Sequence, residues 1–305
     1  MLRSLAADLS AVSGVTIDVL RDARSAELEL PHGTMHPVHG AEEEQETLAR
    51  LAAAADWTIV IAPEFLGYLT ARCRTVEEAG GRLLGPDSQF VALASDKQAT
   101  AEHLTQHGIR VPNGIALAAG APLPEEFAYP AVLKPRDGAG SQGLAWIAGP
   151  TDRVNGDSPA RLETYCPGTA SSVAFLCGPR QVIPLEPCLQ LLAGDGDFAY
   201  LGGSLPIPRP WAHRATRLAT RAIRSFVNPL GYVGVDLVLG DDPSGSADVV
   251  VEVNPRLTTS YVGLRALAEG NLAGSLLAVA EGHEVELCWK SGPIQFESSG
   301  DMRCG

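Results

Sequence analysis

Basic residues are scarce in this chain. Over 305 residues, 23 lysines and arginines stand against 36 aspartates and glutamates, a formal net charge of −13. That excess repels phosphate backbones and anionic bilayers, so neither nucleic acid nor membrane is expected as the main partner, although a local basic pocket for a nucleotide stays open. No apolar run approaches the roughly 20 residues needed to span a bilayer. The amino terminus, MLRSLAADLSAVSG, lacks the long apolar core of a secretory signal, and a cytoplasmic location is expected. The six cysteines, at 73, 166, 177, 188, 288 and 304, form no C-x-x-C pair and no Cys/His cluster. This excludes a zinc ligand set or a disulfide frame and points to free thiols in a reducing compartment. Internal repeats and low-complexity segments are also missing. The length suffices for a sizeable core in two or three lobes. Small molecules are the expected partners, and self-association is left open.

What the chain does contain is acid in an unusual place. The runs YVGVDLVLG and DVVVEVNPR, joined by the polar link DDPSGSA, read as a β-hairpin within residues 232–256. Buried strands rarely carry acids, yet these carry Asp236 and Glu252. Pairing about Ser244 sets Asp236 opposite Glu252, with Asn254 on the same face because strand side chains repeat every two residues. Two such carboxylates repel unless a cation lies between them, and an all-oxygen set suits magnesium shared with substrate phosphates. A solvated sheet face with chance acids is the bland alternative.

The preceding chain alternates elements. Leu2, Leu5, Leu9 and Val12 share a helical face, and VTIDVL reads as a strand after Gly14. Beyond the Pro/His/Gly-rich segment 31–40 come a helix from Ala41, with acids in its first turn, and a short buried strand, WTIVIAPE, ending at Glu64. This order implies a parallel α/β layer, which usually begins with a strand, so an initial strand absent from the sequence as given is expected. Residues 75–85 predict a helix and a short strand. Ser95 and Gln98 have capping-box spacing for a helix that Gly108 stops and that carries Lys97 near its start. A lone lysine there is ordinarily solvated.

The run YPAVLKPRDGAGSQGLAWIAG reads as strand, glycine-rich turn and strand, with Lys134 ending the first strand. Gly138, Gly140 and Gly143 match the G-x-G-x-x-G dinucleotide fingerprint, but that fingerprint must open a helix and LAWIA is β-prone. A glycine loop between strands is instead a flap whose N–H groups can close on phosphates; an ordinary mobile hairpin is the plain reading. RLETYC (161–166) leads into a β-rich section, and Glu163 with its neighbours could meet an adenine edge or simply form a linker. Between Trp211 and Leu230, Ala215, Leu218, Ala219, Ala222, Ile223 and Phe226 form an apolar stripe, with Arg214, Arg217, Arg221 and Arg224 expected in solvent. Asn271 to Glu281 reads as a packed helix, and the polar tail from Ser291 is expected to be poorly ordered.

Taken in order, Lys97, K134-P-R-D-G-A-G-S-Q-G143, E163-T-Y-C-P-G168, Asp236 and E252-V-N-P-R256 resemble the ATP-grasp ligase superfamily over residues 90–285, with residues 1–85 similar to its preceding α/β domain. The resemblance implies α/β and α+β architecture: a pre-ATP-grasp domain over 1–88, lacking its first strand, an N-lobe with the flap over 89–166, and a C-lobe with the metal site over 167–305. It implies ATP as the nucleotide and magnesium, with manganese as a substitute. Lys97, Lys134 and Gly138, Gly140, Ser141, Gln142 and Gly143 would hold phosphates. Glu163, Thr164 and Tyr165 would form the adenine hinge, and Asp236, Glu252 and Asn254 the metal ligands. Two positions depart from the pattern. Ala170 stands where many members have a ribose-binding acid, and Gly234 where the D-alanine–D-alanine ligase branch has arginine, which leaves Arg256 as the phosphate-stabilising cation.

Within the superfamily, VEVNPRLTTSYVGLR and IAPEF…GGRLLG…SDK look most like the tyramine–L-glutamate ligase group of methanofuran-type coenzyme biosynthesis. That implies an acyl phosphate made from ATP and a carboxylate, then captured by an amine to give an amide, with Lys134 and Arg256 as the catalytic cations. Ser260 and Arg265 would meet the substrate, although Arg265 is equally read as a helix-face residue. Glu64 would meet the amine from the first domain, or else cap a helix or face solvent. Rival expectations are another ATP-grasp amino-acid ligase or a nucleotide-binding regulatory module without chemistry.

Overall fold

A computed structural model of the chain describes residues 1–25, 30, 33–138, 143–154, 157–194 and 198–303. The amino-terminal part contains α1 (Leu2–Ser10), β1 (Asp18–Asp22), β2 (Thr34–Val38), α2 (Ala41–Ala54) and α3 (Tyr68–Glu78). β1 and β2 pair in parallel, so the Pro/His/Gly-rich segment contributes a strand that its composition does not suggest. Trp57–Glu64, by contrast, forms no strand; only Thr58 bridges to Leu83. The cause is where its side chains go. Trp57, Ile59 and Ile61 pack on a core of the carboxy-terminal half, whereas Val60 and Ala62 pack with Leu48, Leu69 and Val76. The segment is extended and alternates as a strand would, but it runs between two cores rather than beside a second strand.

Two helices follow where the capping-box spacing suggests one. α4 (Ser88–Ser95) is capped by Asp87, whose Oδ1 accepts from Phe90 N, and α5 (Lys97–Gln106) by Asp96, whose Oδ1 accepts from Gln98 N and Ala99 N. Ser95 therefore ends a helix instead of starting one. An aspartate caps at least as well as a serine, and Asp96 is also fixed by Arg136, whose Nε donates to both its carboxylate oxygens at 2.9 Å. Gly108, at φ +68, provides the left-handed stop.

The next four strands, β3 (Gly114–Leu117), β4 (Ala131–Pro135), β5 (Ala145–Ile147) and β6 (Ala160–Thr164), make an antiparallel sheet in the order β3-β6-β4-β5. Ala131, Leu133 and Leu162 turn into its small core. The period of two then sends Lys134, Arg161 and Glu163 to the opposite face.

The larger sheet has eight strands: β7 (Thr169–Cys177), β8 (Val182–Pro184), β9 (Cys188–Leu192), β10 (Tyr200–Leu205), β11 (Gly231–Leu239), β12 (Val249–Asn254), β13 (Ile294–Glu297) and β14 (Met302–Arg303). Its order is β12-β11-β7-β9-β10-β13-β14, with β8 also against β7. α6 (Arg209–Ser225) lies on one face with Val173, Phe175, Val233, Val235 and Leu237; α7 (Ser260–Leu267) and α8 (Leu272–Ala280) lie on the other with Ala174, Leu176 and Tyr232. The tail expected to be poorly ordered supplies β13, because Phe296 is buried to 1% exposure against α7. Arg214 also departs from the solvent-facing expectation. It is buried on α6 and holds the carboxylate of Asp248 with Nε and Nη2, whereas Arg217, Arg221 and Arg224 are exposed as the stripe predicts. Among the described residues no helix is long and apolar enough to cross a membrane.

Candidate active site

The odd residues of β11 pack beneath α6, which leaves Gly234 and Asp236 on the other face. β12 matches this only because of a bulge. Val235 pairs with Val253 and Asp236 with Glu252, but Leu237 pairs with Val250, leaving Val251 as the extra residue. Val250 and Val253 can thus both enter the core while Glu252 and Asn254 share the face of Asp236. Asn254 Nδ2 donates to Asp236 Oδ2 at 2.9 Å, and Gln190 Nε2 donates to Asp236 Oδ1 at 2.9 Å. Burial, with Glu252 adjacent, pushes the Asp236 carboxyl up to about 7 despite these hydrogen bonds. Burial acts on Glu252 in the same sense, but Lys97, Lys134 and Arg256 outweigh it and hold that carboxyl below its usual range. Buried, mutually repelling carboxylates beside an amide form a hard oxygen set that fits magnesium. Among the described residues no group of three or more His, Cys, Asp and Glu side chains could hold a metal ion, so the set here is two carboxylates with the Asn254 amide.

The smaller sheet and α5 supply the facing wall. Lys97 Nζ donates to Glu252 Oε1 at 2.8 Å and to the carbonyl of Gly138 at 2.9 Å. Its burial disfavours the charge, yet Glu252 more than compensates and keeps the ammonium above its ordinary pKa. Lys134 Nζ lies 2.5 Å from Glu163 Oε2, and Arg161 Nε donates to Glu163 Oε1 at 2.7 Å, all three side chains being buried. Thr164 Oγ1 is buried with no partner among the described residues, and Tyr165 meets Trp146 edge to face at 4.8 Å between ring centres.

At the end of β12, Arg256 points back toward the amino-terminal part, with Nε 2.7 Å from Glu64 Oε1. Tyr232 Oη, Thr258 Oγ1 and Ser260 Oγ contact one another at 2.8 to 3.1 Å. These walls enclose a cavity of about 290 Å³ between the two sheets.

Against known proteins, residues 94–260 match the family model described as ATP-grasp domain, and residues 15–91 match the pre ATP-grasp 3 domain. The chain belongs to the ATP-grasp family. It is similar to the tyramine–L-glutamate ligase of Methanocaldococcus fervens, 24% identical over 230 residues that cover 75% of this chain and 68% of that one. It is also similar to the D-alanine–D-alanine ligase of Bordetella petrii, at 27% identity covering 60% of this chain and 63% of the relative. The chain thus spans 63% to 68% of the length of its curated relatives. Among solved structures, carboxyaminoimidazole ribonucleotide synthase from Aspergillus clavatus complexed with ATP superposes with a TM-score of 0.76 at 18% identity, covering 96% of this chain and 78% of that one. The architecture is therefore the ATP-grasp fold with an amino-terminal pre-ATP-grasp domain, a fold that holds ATP in that relative.

In this ATP-grasp chain the cavity gathers Lys97, Lys134, Gly138, Glu163, Thr164, Tyr165, Asp236, Glu252, Asn254, Arg256 and Ser260. Gly140, Ser141 and Gln142 lie outside the described residues. Gly143, at φ +73, is packed so that a Cβ would stand 2.9 Å from Pro135 Cγ. Arg265 is not brought to the cleft: its guanidinium holds Asp8 of α1, whose Oδ2 also accepts from Tyr261 Oη at 2.6 Å. Glu163 differs from expectation too, since its carboxylate is taken by Lys134 and Arg161 and is not free for an adenine edge. Glu64 neither caps a helix nor faces solvent; it is 3% exposed and paired with Arg256. Sequence reasoning missed Gln190 and Arg161. Gln190 is the polar residue of an otherwise apolar strand, CLQLL, and Arg161 stands two residues before Glu163 and so on the same strand face; those are the signals that would have found them.

Proposed function

We infer that the chain is an ATP-dependent carboxylate–amine ligase that forms an amide through an acyl phosphate, joining glutamate to tyramine or a related aromatic amine. The observation that carries this reading is the meeting of Lys97, Lys134 and Arg256 with Asp236 and Glu252 in one cleft between two sheets. In the first step a carboxylate oxygen attacks the γ-phosphorus, an O–P bond forms, and ADP leaves with the bridging oxygen. In the second, the amine nitrogen attacks the acyl carbon, the C–O bond to phosphate breaks, and nitrogen gives up a proton. Magnesium held by Asp236, Glu252 and Asn254 would supply positive charge against phosphate oxygens. Lys134 and Arg256 offset charge on the group in transfer, which is the main contribution a protein makes to phosphoryl transfer. Lys97 ties Gly138, at the start of the glycine-rich segment, to the Glu252 carboxylate. Exclusion of water by the enclosing walls protects the acyl phosphate.

The glutamate and tyramine assignment rests on the curated relatives and on the VEVNPR and IAPEF strings. A D-alanine-type site is less well supported. A side chain at Gly234 would begin 2.9 Å from Thr258 Cγ2, so an arginine there would have to displace Thr258. Incubation with ATP, magnesium, glutamate and tyramine is expected to yield the dehydrated conjugate by mass, with ADP and phosphate in equal amounts. Nucleotide binding without turnover across a panel of carboxylates and amines would favour a regulatory module instead.

A further inference from the structure

Glu64 belongs to the first domain, follows Ala62 of that domain's core, and turns its buried carboxylate to the residue two places beyond Asn254. Its Oε1 forms an ion pair with Arg256 Nε at 2.7 Å, although that N–H is not aligned as a hydrogen bond; Glu64 Oε2 and Arg256 Nε are both buried without a hydrogen-bond partner among the described residues, and the two side chains are largely shielded, at 4% and 13% exposure. Burial raises the Glu64 carboxyl against the pull of Arg256. Arg256 Nη1 donates to the carbonyl of Leu257 at 3.1 Å, and its charge also lowers the Asp236 and Glu252 carboxyls.

The turn after Glu64 is strained. Leu66 has φ +54 and Gly67 φ +67, although the Leu66 side chain is 75% exposed and gains no burial from that conformation. A non-glycine residue holds the left-handed region only where surrounding structure fixes it. Here the gain is an aimed N–H: Leu66 N donates to Asp137 Oδ2 at 2.8 Å, next to Gly138. One short turn of the first domain thus grips the phosphate-side cation by a side chain and the root of the glycine-rich segment by its backbone.

We propose that Glu64 is a positioning residue for phosphoryl transfer, holding Arg256 where the terminal phosphate of ATP lies. This rests on the reading of the cleft as a phosphoryl-transfer site. It places part of the reaction machinery on the first domain and predicts that Glu64 and Arg256 act as a unit.

The test is a double-mutant cycle in the full chain with Glu64→Gln, Arg256→Ala and the pair, read by calorimetric affinity for magnesium ADP and for a magnesium-bound non-hydrolysable ATP analogue. Glu64→Gln is expected to weaken the analogue about tenfold, the worth of a charge-assisted contact, and to leave ADP within about twofold. The double variant is expected to be no worse than Arg256→Ala alone. In the amide assay KM for ATP is expected to rise about as much as affinity for the analogue falls, with kcat lowered as well. Glu64→Asp, which keeps the charge but withdraws it by a methylene, covers the case of a Gln variant that fails to fold and is expected to fall between. Equal losses on ADP and analogue, additive losses, or unchanged affinities would overturn the proposal. Because the cycle needs no turnover, a wild-type chain that binds both nucleotides but makes no amide would refute the ligase reading alone.

Discussion

At Asp236 and Glu252 two carboxylates share one buried face, and the fold tolerates this by giving each a different environment. Glu252 keeps its charge through Lys97, whereas Asp236, next to Asn254 and Gln190, is pushed up to about 7. A bound divalent cation would relieve that repulsion, so these residues are expected to matter for chemistry more than for folding. Glu252→Ala or Asn254→Ala is expected to lower ATP-dependent amide formation by on the order of 100-fold or more while the far-ultraviolet circular dichroism stays unchanged. Undiminished phosphate release in either variant would refute the ligand assignment. The cysteines allow a second check at this scale. Burial pushes Cys73, Cys177 and Cys188 up to about 12, while Cys288 is exposed. Mass spectrometry after brief alkylation of the native chain near neutral pH is expected to show Cys288 labelled and these three only after denaturation.

Among the elements, α6 and β13 show how packing overrides a local pattern. Arg214 lies beside the apolar stripe and would be solvated on an isolated helix. Asp248, buried just before β12, draws it inward, and Gly240 adds a carbonyl at 2.6 Å. Removing one partner strands a buried charge, so Arg214→Ala is expected to cost about 3–5 kcal/mol in denaturant unfolding, against little for Arg217→Ala. In β13 the polar composition conceals one decisive aromatic. Phe296 fills space that Gly203 and Gly263 leave open, since a Cβ at either glycine would stand 2.7 Å from its ring. Phe296→Ala is expected to cost about 3–5 kcal/mol by the same measurement, a result that a disordered tail would not give.

Across the whole molecule, nucleotide and metal are expected to act as ligands of the folded state. At a hundred times its dissociation constant, magnesium ATP should add about 2.7 kcal/mol, seen as a rise of several degrees in melting temperature. Chelation of the metal should reverse most of that rise. The amino-terminal part of the chain takes part in this assembly through α1, whose Asp8 is held by Tyr261 and Arg265 on α7, and through Glu64.

The sequence alone determined the elements whose pattern is local: the α6 stripe, the helix after Asn271, the paired strands on either side of the glycine-rich run, and a hairpin centred near Ser244 that puts Asp236 across from Glu252. These are legible because periodicity and turn chemistry act over a few residues. The tertiary structure decided what depends on partners distant in the chain. It sent Arg265 to Asp8, Glu163 to Lys134 and Arg161, and Glu64 to Arg256, and it inserted Val251 as the bulge that lets two acids and the core coexist. A side chain's charge is written at one position, but its partner is chosen by whichever opposite charge the fold buries beside it, and no local pattern encodes that choice.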